Sequence, residues 1–174
     1  MAIVAGSLIV RPNRCVRIGR SCGRVLYIGV TERKSHVARI IEILERDGQI
    51  LLLKRSRTKD HAAGEWETGS GGILSGETPQ EATVREAKEE TGLDVELVEL
   101  FHVYSDPARD PRHHTASVVF LARAAGQPVG GDDAASCVVC PPDAPPAPLV
   151  FDHATIIADY LVYRRRGVRP PPRR

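Results

Sequence analysis

The sequence predicts an α/β or α+β sandwich. Three observations lead there: several runs rich in β-branched residues, a tight-turn signal between two of them, and only two segments with helical spacing. A chain of 174 residues suits one domain with a sizeable core. Its 42% hydrophobic and 26% charged residues read as soluble and globular. No apolar run reaches the roughly 18 residues a membrane helix needs, so no membrane partner is expected. The opening MAIVAGSLIV is short and has no basic segment before it. A secretory signal is therefore not expected, and the default compartment is cytoplasmic.

Residues 1–34 read as an N-terminal extension in which CVRIGR and RVLYIGV, around SCG, form a candidate β-hairpin. From Ser35 the pattern sharpens. HVARIIEIL and QILLLKR flank an RDG turn signal and predict a hairpin. A polar, glycine-rich loop follows, RTKDHAAGEWETGSGG. Thr78 is then a candidate N-cap, Pro79 the first helical residue and Glu81 the capping-box acid. This helix runs to about Thr91 and stops at Gly92. DVELVELFHVY and HTASVVFLAR read as strands, PVGGDD as a turn, SCVVC as a last short strand and PPDAPPAP as a stiff connector. Asp152 is expected to cap a final helix, HATIIADYLVYRR. The main domain so outlined covers residues 35–165, and 166–174 form a basic tail expected to be disordered.

The net charge of +2 conceals an asymmetry. The last eleven residues hold six of the 24 basic side chains and no acid, which leaves 18 basic against 22 acidic residues in the body. A solvated tail is the simpler reading of those arginines, and nucleic acid is not an expected partner. The cysteines fall in two pairs, Cys15/Cys22 and Cys137/Cys140. On a strand, residues three apart point to opposite faces, so SCVVC does not suit one shared metal. Buried thiols are expected instead.

The acid-rich helix carries the chemistry. At about 100° per residue, Glu90 lies about 40° to one side of Glu86 and Glu89 about 60° to the other. All three carboxylates share a face, opposite Val84, Ala87 and Thr91, which are expected to pack on a sheet. Clustered anions repel unless a cation offsets them. Oxygen-only ligands suit a hard divalent ion, Mg²⁺ or Mn²⁺, the usual partner of phosphate substrates. A solvated acidic face is the bland alternative. Against it stand Glu77, placed to pair with Arg85 and lock the preceding loop to the helix, and the glycine turn before it.

Gly71, five residues, Glu77, seven residues and then Arg85-Glu86-Ala87-Lys88-Glu89-Glu90-Thr91-Gly92-Leu93 matches the Nudix box position for position. The chain therefore resembles the Nudix hydrolase family, and the likeness extends over roughly residues 35–165. The resemblance implies a Nudix-type α/β/α sandwich with a mixed β-sheet. It implies Mg²⁺ (or Mn²⁺) held by Glu86, Glu89 and Glu90, a structural ion pair of Glu77 and Arg85, and a loop shaped by Gly71 and Gly72. It also implies hydrolysis of a nucleoside diphosphate linked to another group, with Glu86 or Glu89 as catalytic base. Other members draw the base from a later loop, where this chain has Asp132 and Asp133.

YSDPARDPRHHTASVVF is similar to a segment of the ADP-ribose pyrophosphatase subgroup. ADP-ribose, cleaved to AMP and ribose 5-phosphate, is accordingly the expected nucleotide-type substrate. Arg109 and Arg112 are candidate phosphate or ribose contacts, because a guanidinium forks onto phosphate oxygens. Pairing with Asp106 and Asp110 in a turn is the alternative. Trp66 is a candidate base-stacking residue, with core or loop packing as its alternative. Two rival functions stand beside this one: a nucleotide-pool sanitising nucleoside triphosphate pyrophosphohydrolase, and a non-catalytic module that senses ADP-ribose or binds nucleic acid. The resemblance also admits a homodimer.

Overall fold

The computed structural model of the protein describes residues 14–21, 24–32, 37–58, 60–129 and 134–172. Cys22, Asp132 and Asp133 lie outside the described residues. The chain divides into two compact units, Met1–Ser35 and His36–Arg174. In the first, β1 (Arg14–Ser21) and β2 (Arg24–Glu32) pair antiparallel, Arg14 opposite Glu32 and Ser21 opposite Arg24.

The second unit is a mixed sheet with two helices. β3 (Val37–Arg46) and β4 (Gln49–Arg55) are joined by Asp47-Gly48, both at positive φ (49° and 80°). That is the turn a two-residue Asp-Gly hairpin takes. β5 (Trp66–Glu67) and β6 (Ser70–Gly72) precede α1 (Pro79–Thr91). β7 (Val95–Tyr104), β8 (Thr115–Ala124), β9 (Ala134–Cys140) and α2 (His153–Arg166) complete the unit. The strand order is β5-β4-β3-β8-β7, with β6 on β3 and β9 on β4. β3 and β8 run parallel, and the other pairs are antiparallel.

Local chemistry explains the ends of α1. Thr78 accepts a hydrogen bond from the Glu81 amide while Glu81 reaches back to the Thr78 amide, and Gly92 ends the helix at φ 71°. The face buried against the sheet is Ala82, Thr83, Ala87 and Thr91. Val84, expected on that face, is instead exposed. The small side chains let the helix sit close, and the direction in which they do so turns Glu86 and Glu90 inward with them.

The sheet is covered on both sides, so β4 reads as an unbroken apolar run. Ile50 and Leu52 join the main core with Ile43, Phe101, Ile156 and Tyr160, while Leu51 joins Leu44 and Leu93 in a second cluster. Burying this much aliphatic surface, at about 1.5–3 kcal/mol per large side chain, supplies the main driving force for the unit. Cys140 sits in the main core and Cys137 packs against the second, so these free thiols face opposite ways. Within the segment expected to be a disordered tail, Arg169 pairs with Glu99, bonds the Leu100 carbonyl and stacks on Tyr163. Among the described residues, no helix is long and apolar enough to cross a membrane.

Candidate functional site

β3 changes partner along its length. Near its end, Glu45 and Arg46 pair with β4, whereas Arg39, Ile40 and Ile41 pair with Gly72, Gly71 and Ser70 of β6. The glycine strand is thereby held in the sheet directly under α1. A methyl group at Gly71 would lie 1.8 Å from the Glu86 carboxyl carbon, and one at Gly69 would lie 1.8 Å from Glu42 Oε1. Bare backbone at these two positions is what lets the carboxylates come down onto the sheet. A methyl at Gly72 would meet nothing; the contribution of Gly72 is its carbonyl, which accepts a hydrogen bond from Arg85 Nη2 at 2.9 Å.

Arg85 organises the loop. It grips Glu77 through Nε (2.8 Å) and Nη2 (2.9 Å), and its Nη1 bonds Glu86 (2.8 Å) and Glu89 (3.1 Å). The Arg85 guanidinium, together with the Leu74 amide, holds the Glu77 carboxyl well below its ordinary pKa. The pair expected between Glu77 and Arg85 is thus formed, and it extends to two of the three expected metal ligands.

A cavity of about 390 Å³ opens over β3 and β6. Glu86 and Glu90 line it; Glu89 does not, its side chain being 59% exposed. Glu90 accepts a hydrogen bond from the Ser70 amide (3.1 Å), and burial, then the nearby Glu67, pushes its pKa up. Two further carboxylates, missed in the sequence, join it. Glu67 in the cavity wall receives Arg55 Nη1 on both oxygens (2.9 Å each) and the Ser70 hydroxyl (3.2 Å). Glu42 is 1% exposed, and neither carboxylate oxygen has a hydrogen-bond partner among the described residues. Burial raises its pKa strongly, with Glu90 and Glu86 adding to the effect. A charge inside the apolar run RIIEIL was the signal that could have exposed Glu42.

The donor set fits a hard cation. It is all oxygen, crowded with like charges, and contains two buried acceptors with no hydrogen-bond partner among the described residues. Among the described residues, however, no three such groups converge closely enough to hold a metal as they stand. The expected triad of Glu86, Glu89 and Glu90 is split because Arg85 draws Glu89 to the rim.

The basic wall meets the turn-pairing alternative at Arg112 but not at Arg109. Arg109 pairs with neither Asp106 nor Asp110. Its Nε and Nη2 clamp Asp152 (2.8 and 2.7 Å) and its Nη1 bonds the Ser117 hydroxyl (2.7 Å). Asp152, expected to cap α2, precedes the helix but makes no side-chain cap bond, because both its oxygens are used by Arg109. Arg112 pairs with Asp110 through Nε (2.9 Å) and Nη2 (2.7 Å) and stacks over the Phe151 ring at 4.6 Å. Phe151 holds this place at φ 47°, a left-handed backbone that costs about 1–3 kcal/mol in a residue with a side chain. Trp66, the expected stacking residue, packs against the main core under the Lys54 ammonium and is not in the cavity wall. The benzene ring among the described wall residues is that of Phe151. His153, also in the wall, is buried and neutral, its pKa pushed down to about 3 by burial and then by Arg109. Its Nδ1 accepts the Thr68 amide at 3.1 Å.

Comparison with known proteins gives a family match and a shared fold. A family model described as NUDIX domain matches residues 34–160. The ADP-ribose pyrophosphatase of Methanocaldococcus jannaschii is 42% identical over 123 residues, 70% of this chain and 71% of that protein. The CTP pyrophosphohydrolase of Escherichia coli is 40% identical over 60 residues, 34% of this chain and 44% of that protein. A solved NUDIX hydrolase from Nitrosomonas europaea shares the fold, with a TM-score of 0.68 at 22% identity over 88% of each chain.

Proposed function

Because this chain belongs to the Nudix hydrolase family, we propose that it cleaves a nucleoside diphosphate linked to a second group, with ADP-ribose giving AMP and ribose 5-phosphate. The observation that carries the reading is one cavity with an acidic floor, Glu67, Glu86 and Glu90, beside a wall of arginines. Such a site suits a substrate that is itself anionic and comes with a cation.

Glu86, Glu89 and Glu90 would hold Mg²⁺ or Mn²⁺, with the unpartnered oxygens of Glu42 behind them. When bound, the ion neutralises phosphate charge and lowers the pKa of a bound water. In the hydrolysis a water oxygen would bond to one phosphorus as the bridging P–O bond breaks, the departing phosphate keeping that electron pair. Glu86 would take the water's proton; its place in the cavity wall favours it over Glu89, which does not line the cavity. Arg85 is a positioning residue that sets the loop against the helix. Arg112 has spent Nε and Nη2 on Asp110 and offers Nη1 to a phosphate or ribose oxygen. Arg109, with all three nitrogens engaged, acts as a clamp rather than a substrate contact.

Purified protein with ADP-ribose and Mg²⁺ is expected to release AMP and ribose 5-phosphate, followed by chromatography beside a panel of nucleoside triphosphates. Faster turnover of a triphosphate would assign the sanitising activity instead. No turnover of any nucleotide would reject the hydrolase reading.

A further inference from the structure

Four arginines line the cavity, and three are committed. Arg55 is bound to Glu67, Arg109 to Asp152 and Arg112 to Asp110. The fourth, Arg39, is half-buried in the wall and, among the described residues, makes no hydrogen bond or ion pair. It lies within the field of Glu67, Glu86 and Glu90 without touching any of them. Burial, and then the Arg112 cation, both work against its charge. A guanidinium in such a place has lost part of its water without gaining a partner, which is costly unless a ligand supplies one.

The backbone keeps the space around it open. On β3, Arg39 stands opposite Gly72 of β6 on one side and Ser117 of β8 on the other. Gly72 has no side chain, and a methyl there would meet nothing within 4 Å. The Ser117 hydroxyl is already turned to Arg109. Neither neighbouring strand therefore fills the room beside the guanidinium, and among the described residues the five N–H donors of its planar fork remain unclaimed.

The geometry points to Arg39 as the anchor for the substrate's diphosphate, receiving non-bridging phosphate oxygens on its guanidinium. This assignment rests on the phosphoanhydride reading above and names a residue that sets affinity within it. A planar fork matches two phosphate oxygens at once, which a lysine ammonium cannot do. The adjoining carboxylates do not compete for the anchor: Glu67 is held by Arg55 and Glu86 by Arg85.

The test uses the full chain with Arg39→Met, which keeps the apolar stem and removes the charge, and Arg39→Lys, which keeps the charge and removes the fork. With ADP-ribose and Mg²⁺, Arg39→Met is expected to raise KM on the order of tenfold to a hundredfold, the weight of a charged hydrogen bond. kcat should stay within about threefold, as for loss of uniform binding. Arg39→Lys should recover part of the lost affinity. In calorimetry with inorganic pyrophosphate as the sole ligand, Arg39→Met should weaken binding by a similar factor. The melting temperature of Arg39→Met should equal or exceed that of the wild type, since no partner is orphaned.

Unchanged KM and pyrophosphate affinity would overturn the assignment, as would a wild type that binds no pyrophosphate. A fall in melting temperature with collapse of kcat, or failure of Arg39→Met to fold, would also overturn it. Arg39 would then be a counter-charge for the acidic floor. If the wild type hydrolyses no nucleotide, the functional reading fails by itself, and the pyrophosphate titration still decides the role of Arg39.

Discussion

The clamp between Arg109 and Asp152 offers a sharp test of how the site is built. Asp152 occupies the position before α2, where an acid usually caps the helix, yet its oxygens go to Arg109 at 2.7 and 2.8 Å. The Arg109 side chain is only 6% exposed and that of Asp152 19%. A cap lost to Asp152→Ala costs about 1 kcal/mol and does not depend on Arg109. A clamp lost to the same change strands a buried guanidinium, at about 3 kcal/mol, the lower end for buried pairs because Asp152 keeps some water. In a chain of this size that corresponds to a fall in Tm of roughly 6–12 °C. Urea denaturation of Asp152→Ala, Arg109→Met and the double variant measures the coupling directly. The double variant should cost less than the two single changes together by about 2 kcal/mol. A loss near 1 kcal/mol that simply adds to that of Arg109→Met would refute the clamp and restore the cap.

Gly71→Ala places a methyl 1.8 Å from the Glu86 carboxyl carbon and must displace that side chain. Turnover should fall by about two orders of magnitude, with folding retained by circular dichroism; wild-type rates would show that Glu86 needs no such approach. Glu89→Gln should lower kcat by about 100-fold or more if Glu89 is a metal ligand, and near-normal kinetics would remove it from that role. Chelation with EDTA should abolish hydrolysis, and added Mg²⁺ should restore it; activity that survives exhaustive chelation contradicts the cation role. His153 has its pKa pushed down to about 3 from 6.5. The unfolded chain therefore binds its proton first as pH falls, and stability present above pH 6.5 is lost between there and about 3. By pH 5 the loss attributable to His153 should be about 2 kcal/mol, and His153→Gln should flatten that part of the urea-derived stability profile. An identical slope in the variant would show that His153 does not carry it.

Much of this was legible from local rules. The Asp47-Gly48 hairpin, the Thr78 capping box, the Gly92 stop and the main strands follow from short-range chemistry, and the box supplied the pairing of Glu77 with Arg85. What escaped depends on contacts distant in sequence. Glu67 enters the acidic floor because β5 pairs with β4, and Glu42 comes close to Glu86 and Glu90 because α1 packs on β3 and β6. The inward turn of Glu86 and Glu90 depends on which helix face the sheet receives, and helical spacing alone fixes relative angles, not that choice. Asp152 was read as a cap because its partner stands 43 residues away. Trp66 was read as a wall residue and Phe151 passed over for a similar reason: periodicity does not report which ring the backbone aims at open space.

The split allegiance of β3 has a further consequence. A segment stitched into the sheet through Ser70, Gly71 and Gly72 cannot drift or lengthen without unzipping main-chain pairs. Variation in what is accepted must therefore arise where the backbone is unbound by the ladder, in residues 60–63 and 106–113. Exchanging those surface segments between relatives should redirect selectivity while leaving the bond-breaking centre untouched.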